Sequence, residues 1–324
     1  MKRILVTGGA GYIGSVLVRQ LLNDSFKVRV VDNLRFGGES LIDLLDNKNF
    51  EFIKADVRDE RAMSEAVKDV WGIVHLAAIV GDPACAKEPE LTKEINLDAA
   101  KALYKLAEKA AVERFIFAST CSNYGKMKNA DGFVNEESAL QPVSLYAETK
   151  VAFEQFLLGQ AKDNNSKPTC LRYSTVYGLS PRMRFDLTVN EFTKDLAMGK
   201  ELVVFGEQFW RPYCHVEDLA RSAVLVLKSA PEKVAFDVFN VGDSNENYQK
   251  QTLVELIKKE IPNAKISYVK KDEDPRDYRV AFEKIKEKLG FEITKTVPDG
   301  IQEINYIIKN GFLSNPDDGK YKNI

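Results

Sequence analysis

Short, almost uninterrupted apolar runs alternate with amphipathic stretches through the first half of the chain, and this alternation constrains the fold most. Residues 4–7, 27–31, 51–54, 73–77 and 114–119 read as strands, and 169–173 and 238–241 add a sixth and a seventh. Strands this continuously apolar are covered on both faces, which is the habit of parallel sheets. Between them lie helical patterns. In residues 95–111, Leu103, Leu106, Ala107 and Ala110 recur at three- and four-residue spacing. Strand–helix alternation at a period of roughly 30 residues predicts an α/β architecture, a doubly wound parallel sheet of about seven strands.

The expected organisation divides the chain unevenly. Residues 1–179, with about 213–242 returning to them, are expected to form the larger domain that holds the parallel sheet. Residues 180–212 and 243–312 are expected to form a smaller α/β domain. Residues 313–324 are a tail with few large apolar side chains, expected to be loosely docked or frayed. A chain of 324 residues is ample for such a core without disulfides. The four cysteines (Cys85, Cys121, Cys170, Cys214) are far apart, and there are only two histidines, so no zinc site is expected and a reducing cytoplasm is the natural compartment. A net charge of −2 disfavours a nucleic-acid binder. The longest apolar run, 73–80, contains His75 and is far short of a membrane span, so no membrane partner is expected. The start of the chain reaches glycine too soon for a signal peptide.

Directly after the first strand stands Thr7-Gly8-Gly9-Ala10-Gly11-Tyr12-Ile13-Gly14, with glycines at 8, 11 and 14. This spacing permits a tight turn, close approach of backbone to a pyrophosphate and tight helix–strand packing. Asp32 ends the second strand, where a carboxylate accepts both hydroxyls of an adenosine ribose and repels a 2′-phosphate, favouring NAD over NADP. Arg35 nearby keeps NADP in play. Asp56, after the third strand, either accepts from the adenine amino group or caps the helix after Arg58. His75 is expected to be a hydrogen-bonded structural residue, and Leu76, Ala77 and Ala78 leave room for the cofactor.

Tyr146 and Lys150 lie four apart on a strongly helical stretch and so share a face. A neighbouring ammonium and a cationic nicotinamide are expected to lower the phenol pKa from ~10, fitting Tyr146 as a general base on a sugar hydroxyl or as the acid in reverse. Thr120, at the end of the fifth strand, offers a hydroxyl to the reacting oxygen. Ligands in open α/β sheets bind at such strand ends.

With these motifs the chain resembles the extended short-chain dehydrogenase/reductase family, the NAD-dependent epimerases and dehydratases of nucleotide sugars typified by UDP-galactose 4-epimerase. The resemblance runs from Lys2 to about Lys309. It rests on the glycine-rich opening, Asp32-Asn33-Leu34, His75-Leu76-Ala77-Ala78, Asn96, the Ser119-Thr120 segment, the Tyr146/Lys150 pair, Leu171-Arg172 with Val176-Tyr177-Gly178, and His215-Val216-Glu217-Asp218-Leu219-Ala220. It implies a Rossmann-type fold, NAD as cofactor, and Thr120, Tyr146 and Lys150 as the catalytic set. The implied cofactor contacts are Gly8, Gly11, Tyr12, Ile13 and Gly14 in the opening. Asp32, Asn33, Leu34, Asp56 and Val57 follow on the adenosine side. Leu76, Ala77, Ala78, Asn96 and Tyr173 complete the set with Tyr146 and Lys150. The implied partner is a nucleotide-diphosphate sugar, met by Val80, Thr120, Ser122, Asn123, Asn190, Arg211 and Arg276, with Arg182 and Arg184 as nearby candidates.

Within the family, residues 79–83 and 180–186 are similar to a bacterial branch associated with surface polysaccharides, some of whose members resemble C4 dehydrogenases of GDP-linked heptoses. Related 4,6-dehydratases carry an Asp-Glu pair after the threonine. Cys121 and Ser122 stand there instead, so dehydration is not expected. The expected activity is NAD-dependent oxidation of a sugar hydroxyl, C4 foremost, ending in epimerisation or in a released ketone. A 4-dehydrogenase or 4-ketoreductase is the alternative. A non-catalytic NAD-sensing protein is a further one, disfavoured by the intact Tyr146/Lys150 pair. A phosphoryl-transfer protein is excluded because no lysine-bearing P-loop is present. By the family pattern the protein is a homodimer pairing the helices of Asn96 and Tyr146, with Leu103, Leu106, Phe153, Phe156 and Leu157 supplying apolar contacts.

Overall fold

The computed structural model of the protein describes residues 1–127, 132–269 and 276–323. Along these the strands are β1 (Arg3–Thr7), β2 (Lys27–Asp32), β3 (Phe50–Lys54), β4 (Gly72–His75), β5 (Arg114–Thr120) and β6 (Lys167–Tyr173). They continue with β7 (Thr175–Tyr177), β8 (Glu201–Phe205), β9 (Trp210–His215), β10 (Asp237–Val241), β11 (Asn247–Gln249) and β12 (Lys265–Val269). Seven of them pair in parallel in the order β10-β6-β5-β4-β1-β2-β3. The direction of winding reverses between β1 and β4, and the crevice beyond their carboxyl ends is where such sheets bind ligands.

The period-two geometry of each strand divides its apolar residues between two cores. On one face Ile4, Val6, Val28, Val30, Val74, Ile116, Leu171 and Phe239 pack under the helices Tyr12–Asn23 and Val216–Lys228. On the other, Leu5, Val31, Ile73, Phe115, Phe117 and Cys170 pack under Ala100–Lys109 and Leu145–Leu158. A three-stranded sheet, β11-β9-β7, and the pair β12-β8 belong to the later chain. There Val189, Leu202, Val204, Leu253, Ile257, Val297 and Ile301 form a separate core.

Four expectations need revision. The helix expected from residue 95 begins earlier: helical turns run from Pro89, widen into π geometry over Glu94–Ala99, and resume as Ala100–Lys109. π turns of this kind recur at functional sites. The helix after Arg58 is capped by Asp59, whose carboxylate accepts from Ala62 N at 3.0 Å, and not by Asp56. Of the residues expected at a dimer interface, Leu103, Phe153 and Leu157 are buried by the chain itself against the sheet, and only Leu106 and Phe156 stay partly exposed. Finally, residues 314–323 are docked. The Asp317 carboxylate accepts from Lys194 and Lys200, and the Tyr321 carbonyl accepts from Phe185 N.

The four cysteines are free and buried. Among the described residues, no helix is long and apolar enough to cross a membrane, and no cluster of His, Cys, Asp or Glu is arranged to hold a metal ion.

Candidate active site

A pocket opens at the reversal point of the large sheet. Its floor is the glycine turn. Gly8 has φ +75°, and a Cβ there would lie 2.8 Å from Ala77 N, while a Cβ on Gly14 would fall 2.1 Å from Gly8 O. Only glycine permits this approach of turn, helix and neighbouring strand. The helix Tyr12–Asn23 starts at Gly11 with no side-chain cap and no acidic residue in its first turn, so its first N–H groups face the pocket unclaimed by a carboxylate. That cradle fits the pyrophosphate of a dinucleotide.

Asp32 ends β2 on one wall. Its Oδ2 accepts from Ala10 N at 3.0 Å and its Oδ1 from Leu34 N at 2.8 Å. Burial pushes its pKa up, opposed by those two N–H groups and by the charge of Arg182. Asn33, Asp56 and Val57 line the same end. Asp56 is paired with Arg58, and this hydrogen bonding holds its carboxyl below the usual range.

At the other end Ser144 caps the helix Leu145–Leu158, accepting from Ala147 N at 3.3 Å, and sets Tyr146 and Lys150 on its inner face. Lys150 Nζ donates to Ala118 O at 2.8 Å, at the end of β5, and lies 5.8 Å from the centroid of the Tyr146 ring. Thr120 lines the pocket beside them and hydrogen-bonds Tyr146. The expected lowering of the Tyr146 pKa is not what the protein itself produces. Burial pushes the phenol up, and the Thr120 hydrogen bond and the charge of Arg184 oppose it only in part. Burial also pulls Lys150 down to about 8.

His75 is a support. Its Nδ1 lies 2.7 Å from Thr7 Oγ1, and burial, helped by the Lys150 charge, depresses its pKa to about 3. The unfolded chain therefore binds a proton near pH 6.5 that the folded protein refuses, and stability falls as pH drops through that value. The His75 contribution to this loss is about 2 kcal/mol between pH 7 and pH 5. Urea unfolding at both pH values should show the loss in the parent and not in a His75→Gln variant. Equal losses in both would refute the assignment.

Most of the residues singled out in the sequence meet in this pocket. Gly8, Gly11, Tyr12, Ile13, Gly14, Asp32, Asn33, Asp56, Val57, Leu76, Ala77, Ala78, Val80, Thr120, Tyr146, Lys150 and Tyr173 all line it. The rest of that set lie outside the lining. Leu34 contributes its N–H to Asp32. Asn96, in the π turn, donates to Ile79 O at 2.9 Å and accepts from Ile79 N at 2.8 Å, pinning the pocket wall. Ser122 Oγ turns towards Tyr278 OH, and Asn123 is fully buried and donates to Ser119 Oγ. Asn190 is consumed by Gly178, Tyr12 and Arg184. Arg211 turns back to Trp210 O and over the Tyr278 ring, and Arg276 pairs with Asp82 at 2.9 Å. The guanidinium groups that do face the pocket are Arg35, Arg182 and Arg184. Phe36 and Asn323 also line it and carried no signal in the sequence.

Comparison with known proteins gives the family. The model of the NAD dependent epimerase/dehydratase family matches residues 4–242. UDP-glucose 4-epimerase of Bacillus subtilis is 28% identical, over 93% of this chain and 94% of its own length. The crystal structure of Thermus thermophilus UDP-glucose 4-epimerase in complex with NAD superposes with a TM-score of 0.82 at 25% identity, covering 96% of this chain and 100% of the other. DesIV, a dTDP-glucose 4,6-dehydratase from Streptomyces venezuelae solved with NAD bound, gives a TM-score of 0.84 at 25% identity, covering 96% and 98%.

Proposed function

The chain belongs to the NAD-dependent epimerase/dehydratase family, and we propose that within it the protein oxidises C4 of a nucleotide-diphosphate sugar without eliminating water. It then acts as a 4-epimerase or as a 4-dehydrogenase. Bound NAD supplies the hydride acceptor, held by the glycine turn and Asp32. Tyr146 takes the proton of the sugar hydroxyl at its phenol oxygen, and Thr120 hydrogen-bonds the same region. The Lys150 ammonium, fixed by the Ala118 carbonyl, places positive charge close enough to favour the phenolate in a poorly solvated site. Returning the proton from Tyr146 completes the reverse step.

The observation that carries this reading is the state of Cys121 beside an intact Thr120, Tyr146 and Lys150. Elimination needs an acid and a base where Cys121 and Ser122 stand. Cys121 is fully buried, its thiol donates to Arg172 O, and burial pushes its pKa up. It is outside the pocket lining, and Ser122 offers only a hydroxyl. Neither supplies proton transfer at neutral pH.

The test is mass spectrometry of products from a panel of UDP-, GDP-, dTDP- and CDP-sugars supplied with NAD. The product of an accepted hexose nucleotide should keep its mass or lose two hydrogens. A product lighter by one water, absent in a Tyr146→Phe control, would overturn the reading.

A further inference from the structure

Residues 314–323 cross the molecule to the pocket. The Asp317 carboxylate is anchored by Lys194 at 2.7 Å and Lys200 at 2.6 Å, and these hydrogen bonds hold its pKa at about 2. The chain then runs along the loop 179–187. The Tyr321 ring meets Phe185 edge-on, with centroids 5.5 Å apart, and its carbonyl accepts from Phe185 N at 2.8 Å. The Lys322 carbonyl accepts from Arg182 Nη2 at 3.1 Å, and Asn323 N donates to Asp186 Oδ2 at 3.2 Å. Asn323 thereby lines the dinucleotide pocket, and its side-chain Oδ1 is buried without a hydrogen-bond partner.

Arg182 is the group this segment holds in place. It is 6% exposed, its guanidinium lies 4.5 Å from the centroid of the Phe36 ring, and its Nε is buried with no hydrogen-bond partner. Two residues earlier, Ser180 Oγ donates to Tyr12 O at 2.7 Å, so the loop is tied to the first turn of the helix Tyr12–Asn23. Arg182 therefore sits by the uncapped helix start and within electrostatic reach of Asp32. Burial and the neighbouring Arg184 pull its pKa down to about 10, opposed in part by Asp186 and Asp32. A buried guanidinium donor left unpaired is costly, and a phosphate oxygen satisfies it in the forked geometry that arginine favours.

We propose that Arg182 is a ligand of the NAD pyrophosphate and that residues 314–323 form a strap that holds it over the dinucleotide, with Asn323 completing the pocket wall. The pyrophosphate is the part of NAD that carries anionic oxygens, and the helix start opposite Arg182 has no carboxylate to compete for them. The strap also gives cofactor retention a handle outside the pocket lining, because its anchor, Asp317, pairs with Lys194 and Lys200. The inference concerns dinucleotide binding alone and stands whichever sugar is oxidised.

Isothermal titration calorimetry on nucleotide-stripped, full-length protein tests it, with NAD, ADP-ribose and NADP as probes and no sugar present. Arg182→Met should raise the Kd for NAD and ADP-ribose about 10- to 100-fold, the range for a lost charged hydrogen bond. NADP should weaken by the same factor. A much larger loss for NADP would place the guanidinium at the 2′-position and overturn the proposal. Asp317→Asn and Asn323→Ala should each weaken NAD several-fold, and Asp317→Asn should speed NAD release in stopped-flow experiments. These two changes lie outside the core, so they decide the matter even if Arg182→Met fails to fold. NAD affinity and release unchanged in both would overturn the strap.

Discussion

Replacing Tyr146 by Phe is expected to cut turnover by about 10²–10⁴-fold while leaving NAD affinity within about twofold of the parent. The substitution removes one oxygen and keeps the ring, which packs beside Ile79, Cys85 and Ile95. The rest of the cofactor cradle does not involve the phenol. Asp32 is held by two backbone N–H groups, and the glycine turn by its own contacts. What is lost is the group proposed to take the sugar proton. Steady-state rates at a pH where chemistry limits turnover, with calorimetric titration of NAD alongside, check this. Activity within about threefold of the parent would remove Tyr146 from proton transfer. The phenol is pushed up by burial in the protein alone. A rate rising with pH is therefore expected, and the rise should vanish in the Phe variant.

The second large effect concerns stability. Tyr146, Lys150 and Glu154 follow one another at four-residue spacing on the same helix. Glu154 meets Arg172 on β6 in a pair whose side chains are 1% and 4% exposed, with Arg172 Nε 3.1 Å from Oε1. Ser119 donates to the carboxylate at 2.7 Å. Arg172 donates on to Tyr124 OH, which donates to Asn240. Glu154→Ala leaves the guanidinium buried without its counter-charge and should cost about 3–5 kcal/mol. Urea unfolding checks the figure. A double change with Arg172→Met should cost clearly less than the sum of the two single changes, because removing both partners removes the uncompensated charge. A single-variant cost below about 1 kcal/mol would mean the pair is not the buried unit described.

The sheet was legible because most of its strands carry a short, largely apolar run, a signal that survives whatever the turns do. The pairing of Tyr146 with Lys150 was legible for a related reason: four-residue spacing on a helix fixes a shared face. The same spacing reaches Glu154, and that extension went unread because an acidic residue on a helix looks like ordinary surface. The arginines show the opposite case. Arg182, Arg184, Arg211 and Arg276 are chemically identical in a sequence. Arg211 curls onto Trp210 O and Arg276 is taken by Asp82, whereas Arg182 and Arg184 face the pocket. That choice is made by long-range contacts, as is the docking of residues 314–323. Their few apolar side chains suggested loose docking or fraying. Two lysines distant in sequence, Lys194 and Lys200, and the backbone of the loop 179–187 hold them instead.

The strand order also bears on how the chain is made. β6 is flanked by β5 on one side and on the other by β10, which arrives only after residues 174–236. During synthesis from the amino end, β6 emerges with one ladder complete and its other row of N–H and C=O groups bare. A flat, apolar, unpaired edge is a template for wrong partners. The nascent protein carries that liability until residues 174–236 have been made, among them the helix Val216–Lys228 that covers one face of the same sheet. Closing the edge is therefore a late event that no local sequence element can bring forward. A ribosome pause placed within residues 174–236 would prolong the time for which the β6 edge stays bare.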